Sequence, residues 1–452
     1  MIYLLLVMLI IMLVITFIIS KKDIISPAFI FTFGFTFQAI WAAIYANQWG
    51  LNLNVNTFFV IFLGVLEFII VSFLVSKLYK RKKQKIVEND LEKEANTEIT
   101  KINVNKKVEV IVLCICVIIS IAFLFTVVKL VDGSFDSFKT ISESLAKYDS
   151  MSKFSENTIR IPFLISNLEI FVVAVGYWFS YVLINNFFVE KKLDYIKIAI
   201  VIISLISSTF DGSRGNAFMI IASMIFFFLY FLSKKKNYTN VVSKKLVRNI
   251  LIIGFVFLVS FSSLANLLGR NITGNKMDYL AIYCGAEVKN LDIYLQEDQG
   301  EKNSIIGSQT FVNLITSFGE KIGFDGYKSY KLDLPFREYN GFNLGNVYTT
   351  FYPFIYDFGY VGEFVLVLIM ALIAQLIYER IKSTNKSNGV SILTLIYSII
   401  FCCLALSFFS NKFYENIFTI GLLKYVAFWW LLNLALCKVD YKNLLKKIRR
   451  KK

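Results

Sequence analysis

The chain has 452 residues, of which 56% are hydrophobic, 16% aromatic and only 18% charged, with Lys+Arg 48 against Asp+Glu 32 and no histidine. A soluble domain carries about 25% charged residues, so this composition excludes a chain solvated by water throughout. The missing histidine excludes imidazole-based nucleophilic catalysis, His-Glu-x-x-His zinc sites and His-ligated haem. Six cysteines (Cys114, Cys116, Cys284, Cys402, Cys403, Cys437) show no metal or disulfide spacing and read as small apolar side chains.

In chain order, apolar runs of spanning length predict about eleven transmembrane helices, near 2–20, 26–46, 56–76, 108–131, 159–187, 198–210, 217–232, 249–269, 346–378, 389–410 and 417–437. The first has no basic n-region and no A-x-A site, and reads as a retained span rather than a signal peptide. The sequence therefore predicts an all-α polytopic membrane protein. Its parts are three N-terminal helices (1–76), a charged linker (77–107), a central group (108–269) with a loop at 132–158, a large loop (270–345), C-terminal helices (346–437) and a basic tail (438–452). The linker mixes charges without apolar periodicity and reads as mobile. In the first long loop, Phe135, Phe138, Ile141 and Leu145 recur at helical spacing, and 310–323 is amphipathic as well.

Charge placement gives an orientation. Segments 21–23, 77–107, 190–197, 233–248, 379–388 and 438–452 carry 32 Lys/Arg against 10 Asp/Glu, whereas the opposite loops with Arg160 carry 14 against 17. Lys and Arg resist translocation and favour the anionic inner leaflet. The expected topology is N-terminus outside and C-terminus cytoplasmic. The net charge of +16 is then an orientation signal, and no nucleic-acid partner is expected.

Polar groups at membrane depth mark candidate chemistry, because each costs about 2.5–3.5 kcal/mol on insertion scales. SSTFDGSRGNAF at 207–218 joins two apolar runs by a very short turn, leaving Arg214 at a helix start beside Asp211. A guanidinium fork, glycine backbone and helix-terminal N–H groups suit a phosphate or diphosphate. The plainer alternative is an Asp211–Arg214 pair tethering two helices. Arg270 at the end of the eighth run, Arg160 opening the fifth and Arg337 in the large loop are further candidate anion ligands or end anchors. Asp357 and Glu363, near Gly359 and Gly362, can pair with arginine or accept a hydroxyl proton. Glu67 and Glu169 are intramembrane carboxylates.

The segments ISPAFIFTFGF (25–35), the Gly-Ser-Arg-Gly turn (212–215) and GNVYTTFYPFIYDFGYVGEF (345–364) together resemble the bacterial oligosaccharide repeat-unit polymerases, the Wzy-type O-antigen and capsule polymerases. The Arg-x10-Gly pattern of some members is absent: eleven residues beyond Arg160, Arg214, Arg270 and Arg337 stand Phe171, Ile225, Ala281 and Tyr348. The resemblance implies metal-independent glycosyl transfer, without a cofactor, at the outer face of the bacterial cytoplasmic membrane. Undecaprenyl-diphosphate-linked oligosaccharides are the substrates, undecaprenyl diphosphate leaves, and a flippase and chain-length regulator of the same pathway are partners. It also implies catalytic roles for Arg214, Asp211 and Asp357, and diphosphate binding by Arg214 and Arg270, to which Arg160 and Arg337 are added as candidate diphosphate ligands from their positions alone. Related O-antigen ligases use a loop histidine, which this chain lacks. A flippase for the same lipids and a non-catalytic scaffold are the other readings. Only Lys129 and Lys424 are basic within predicted spans, near their ends, which favours an outward-facing enzyme.

Overall fold

The structure, a computed structural model, describes residues 1–89, 99–154, 159–238, 242, 243, 246, 248, 275–297, 305–322, 334–383 and 389–438. The helices among them are α1 (Ile2–Ile19), α2 (Pro27–Ile44), α3 (Val55–Asn89), α4 (Lys106–Leu130), α5 (Phe138–Phe154), α6 (Phe163–Glu190), α7 (Tyr195–Ser207), α8 (Gly215–Lys235), α9 (Lys276–Gln296), α10 (Val312–Ile322), α11 (Phe351–Ser383), α12 (Ile392–Ala405), α13 (Lys412–Ile417) and α14 (Ile420–Leu432), the last running into a π-helical turn. Among the described residues the only strands form one antiparallel hairpin, β1 (Arg337–Tyr339) with β2 (Phe342–Gly345).

Eight of these helices are long and apolar enough to cross a membrane: α1, α2, α3, α4, α6, α8, α11, and α14 with its π-helical extension. Their free surface is itself apolar. On α1, Leu5, Leu9, Met12 and Thr16 face the bundle while Val7, Ile11, Val14 and Ile18 are exposed. On α4, Ile111, Ile118 and Ile121 are exposed likewise. Such a perimeter suits acyl chains rather than water, and the chain has the make-up of a multi-pass membrane protein. Two further expected spans, 198–210 and 389–410, appear as the apolar helices α7 and α12, of 13 and 14 residues. These fall short of the roughly 20 residues a bilayer core requires. The expected span at 249–269 lies outside the described residues.

The bundle is built on two packed sets, α11 along α3 with α1 and α2 beside them, and α6 surrounded by α7, α8, α4 and α14. α6 is buried almost without interruption from Val172 to Asn186. α11 bends at Gly359 (φ 66°, ψ −166°).

Contacts segregate to two ends. At the linker end, Tyr378 donates to Asp23, Tyr397 donates to the Ile25 carbonyl (2.8 Å), and Lys197 Nζ lies 2.8 Å from Glu109 and 2.6 Å from Asp194. Of the charged linker, residues 77–89 and 99–107 are described. α3 continues through its first part to Asn89, and its last part is pinned: Asn186 accepts from Ile102 N and donates to Ile102 O, both at 2.9 Å, as a neighbouring strand would. Paired backbone groups here replace the apolar periodicity that the segment lacks.

At the opposite, loop end, the described residues of 275–297, 305–322 and 334–350 form structure over the bundle. α9, capped by Asn275 (Asn275 Oδ1 accepting from Met277 N, 3.0 Å), lies across α2 and reaches α3. Gly285 permits this crossing, because a Cβ there would stand 2.7 Å from the Ala42 amide nitrogen. Cys284, read as part of a polar loop, is instead buried on this helix. The expected amphipathic segments appear as α5 and α10.

Candidate functional site

The site forms at the loop end, where α7 gives way to α8. Asp211 Oδ1 accepts from Ser213 N at 2.8 Å, a local turn that competes with helix continuation. Ser213 Oγ in turn accepts from Gly215 N at 3.2 Å. Gly212 sits at φ +77°, and a Cβ on it would lie 2.3 Å from the Leu145 carbonyl oxygen and 2.7 Å from Asp149 Cβ. Helix α5 therefore roofs the turn directly.

The turn delivers Arg214 as the residue preceding α8, 8% exposed, its own side chain making no capping bond to that helix. Its Nη2 donates to Tyr279 Oη at 3.2 Å, and Tyr279 Oη donates to Tyr283 Oη at 3.5 Å. The two tyrosine rings are 5.0 Å apart, and Tyr283 stacks on Phe409 at 6.0 Å. The guanidinium is thus aimed from the α7–α8 turn toward the first turns of α9. The N–H groups of the first turn of α8 add partial positive charge beside it.

Carboxylates stand on the elements around this turn. Glu169, on α6 and 9% exposed, accepts from Ser207 Oγ at 2.7 Å, and Asp211 is within electrostatic reach of Glu169 and Tyr425. On α5, burial and then the charges of Asp211 and Asp149 push Tyr148 up to about 12. The arrangement offers a fork donor, a phenol and carboxylates at one bundle mouth. This is a set able to hold an anion and accept a proton.

The other sequence-predicted residues divide. Arg160 is exposed, but Ile159 and Ile161 on either side of it pack with Leu145, Tyr148 and Phe210, so its backbone is fixed beside the Arg214 turn. Arg270 lies outside the described residues. Arg337 is elsewhere: it makes a two-pronged pair with Glu297 and donates to Tyr348 Oη at 3.2 Å, tying the hairpin to the far end of α9. Tyr279 and Glu297 are 18 positions apart along or just beyond α9, about 27 Å at the helical rise per residue. One diphosphate does not bridge Arg214 and Arg337 as placed. Asp357 anchors a loop, its two oxygens accepting from Gln309 N (3.2 Å) and Thr310 N (2.6 Å). Glu363 lies within electrostatic reach of Glu67 across the α3–α11 interface.

Tyr279, Tyr283, Tyr148 and Asp149 escaped the sequence reading. The first two carried one legible signal, aromatic hydroxyls four residues apart in KMDYLAIYCGAEVKN. Among the described residues no group of three Asp, Glu, Cys or His side chains is placed to hold a metal ion. No protein-family model matches the chain, and no curated protein or solved structure matches it either.

Proposed function

We propose that the chain is a membrane-embedded glycosyltransferase of the bacterial cytoplasmic membrane that joins lipid-diphosphate-linked oligosaccharide repeat units into a surface polysaccharide, O-antigen or capsule. The observation that carries this reading is Arg214, buried at a helix start and oriented by Tyr279. In the proposed reaction a hydroxyl of one saccharide attacks the anomeric carbon of another. The new C–O bond forms as the bond to the diphosphate breaks, and undecaprenyl diphosphate leaves with the electron pair. Charge builds on the leaving oxygens, where a preoriented guanidinium and helix N–H groups stabilise it most. The hydroxyl proton passes to a carboxylate. Asp211 is the candidate at this mouth, since both oxygens of Asp357 already accept backbone N–H groups. Arg160, fixed beside this turn, adds positive charge against Asp149, Asp211 and Glu169. The loop end faces outward in this reading, with the Lys-rich end in the cytoplasm.

A flippase for the same lipids is the second reading, favoured by the Glu67–Glu363 approach, because facing intramembrane carboxylates are a feature of proton-coupled transport. Reconstitution of the purified chain with lipid-linked repeat units separates the two. A growing sugar ladder supports the polymerase. Translocation without elongation supports the flippase and removes the polymerase.

A further inference from the structure

Beneath α9 lies a second polar centre, separate from Arg214. Glu287 is 0% exposed, and its Oε2 receives only a long hydrogen bond from Gln38 Nε2, 3.4 Å. Asn290, 0% exposed and one turn further along the same helix face, donates to the Leu344 and Val347 carbonyls at 3.2 and 2.8 Å. Gln38 also donates to the Phe408 carbonyl at 2.9 Å, and the neighbouring Ser407 carbonyl accepts from Thr350 N at 2.9 Å. These bonds place Glu287, Asn290 and Thr350 in one interior region, or cell, bounded by α9, α2, the chain leading into α11, and the chain after α12.

Glu287 Oε1, Asn290 Oδ1 and Thr350 Oγ1 each make no hydrogen bond to any described protein group. Three such oxygens in one cell are unusual, since most buried polar atoms are partnered. Nor is the charge answered. Lys289 points elsewhere, with Nζ donating to Gly50 O at 2.9 Å and lying 4.3 Å over the Tyr339 ring, and Arg214 is held by Tyr279. Burial pushes the Glu287 carboxyl well above its ordinary value, so a protonated glutamate is the state that competes with ion binding. An ionised carboxylate buried without a counter-charge costs several kcal/mol.

We propose that this cell binds a small monovalent cation, sodium in class, through Glu287 Oε1, Asn290 Oδ1 and Thr350 Oγ1, locking α9 onto the bundle. A divalent ion is disfavoured by the chemistry of the donors, because calcium sites gather several carboxylates and this cell has one. The site stands independently of the transferase reading.

The test is thermal unfolding of the full purified chain in detergent, in sodium chloride against choline chloride at equal ionic strength. Binding to the folded state alone raises the melting temperature with ligand concentration. A saturable rise in sodium, absent in choline and absent in Glu287→Gln, is the expected result. Thr350→Val, which keeps the volume and drops one ligand, should need about tenfold more sodium, the effect of losing roughly 1.4 kcal/mol of binding. Should Glu287→Gln fail to fold, equilibrium dialysis of the wild-type chain with radioactive sodium decides, with one ion per chain supporting the site and none overturning it. Equal melting in sodium and choline, or a full sodium shift in Glu287→Gln, means a protonated glutamate with water only, and overturns the proposal.

Discussion

Replacing Gly212 by alanine tests how the Arg214 turn is held. Two costs follow from the geometry. The backbone at φ +77° is one that an L side chain adopts with strain, a penalty of about 1–3 kcal/mol. The added Cβ would also stand 2.3 Å from the Leu145 carbonyl oxygen. An ordinary carbon–oxygen contact is about 1 Å longer, and the obstacle is backbone, which cannot rotate away. The turn must therefore lift from α5 by roughly that amount. Arg214 is two residues on, and a displacement near 1 Å at a positioning group costs about 10²-fold in rate. Gly212→Ala should therefore lower both the melting temperature and the elongation rate in proteoliposomes, with the rate falling about a hundredfold. Wild-type melting and wild-type elongation together would refute the claim that α5 clamps this turn and that the turn sets Arg214.

Tyr279→Phe removes the hydroxyl that accepts from Arg214. A hydrogen bond to a charged group contributes about 1.5–3 kcal/mol, so a ten- to hundredfold loss of elongation with unchanged membrane insertion is expected, and unaltered kinetics would count against orientation by α9. Lys197→Met strands the fully buried Glu109 and should destabilise the chain by about 3–5 kcal/mol. Adding Glu109→Gln should recover most of that loss in chemical denaturation, and simple additivity of the two losses would contradict the pairing. At Asp194, desolvation pushes the carboxyl up, but the Lys197 hydrogen bond and charge and the backbone N–H groups of Lys197 and Ile196 outweigh it and leave it below 3.8. Its contribution to stability is complete above 3.8 and disappears as the pH falls through the lower folded value. Asp194→Asn should flatten that acid limb in a pH series of melting curves, and an unchanged limb would contradict the assignment.

Much of the architecture was legible because a bilayer imposes strict length and polarity requirements on each crossing segment. The eight long helices follow from apolar runs alone, and Arg214 was found because a charge beside a two-glycine turn stands out in so apolar a chain. α9 was not found. Its stretch carries Asp278, Glu287, Lys289 and Asp292 and falls in the large loop with no helix expected, yet those groups meet Tyr45, Gln38, Gly50 and Asn54 on the bundle's end. Sequence shows that a residue is charged but not which distant partner answers it. Arg337 was grouped with Arg214 for that reason, although Glu297, 40 positions away, takes its guanidinium. The partners of Asp357 were hidden similarly, because they are backbone amides of a loop whose path no local pattern specifies.

The central claim is that the Arg214 guanidinium acts on a departing lipid diphosphate. The most direct measurement is a single-turnover elongation assay with purified lipid-linked repeat units, comparing the native chain with Arg214→Ala and Arg214→Lys at matched reconstitution. The account predicts no detectable ladder for alanine and a weak one for lysine, whose point charge lacks the fork, with both variants melting near the native temperature. A full ladder from Arg214→Ala would contradict it.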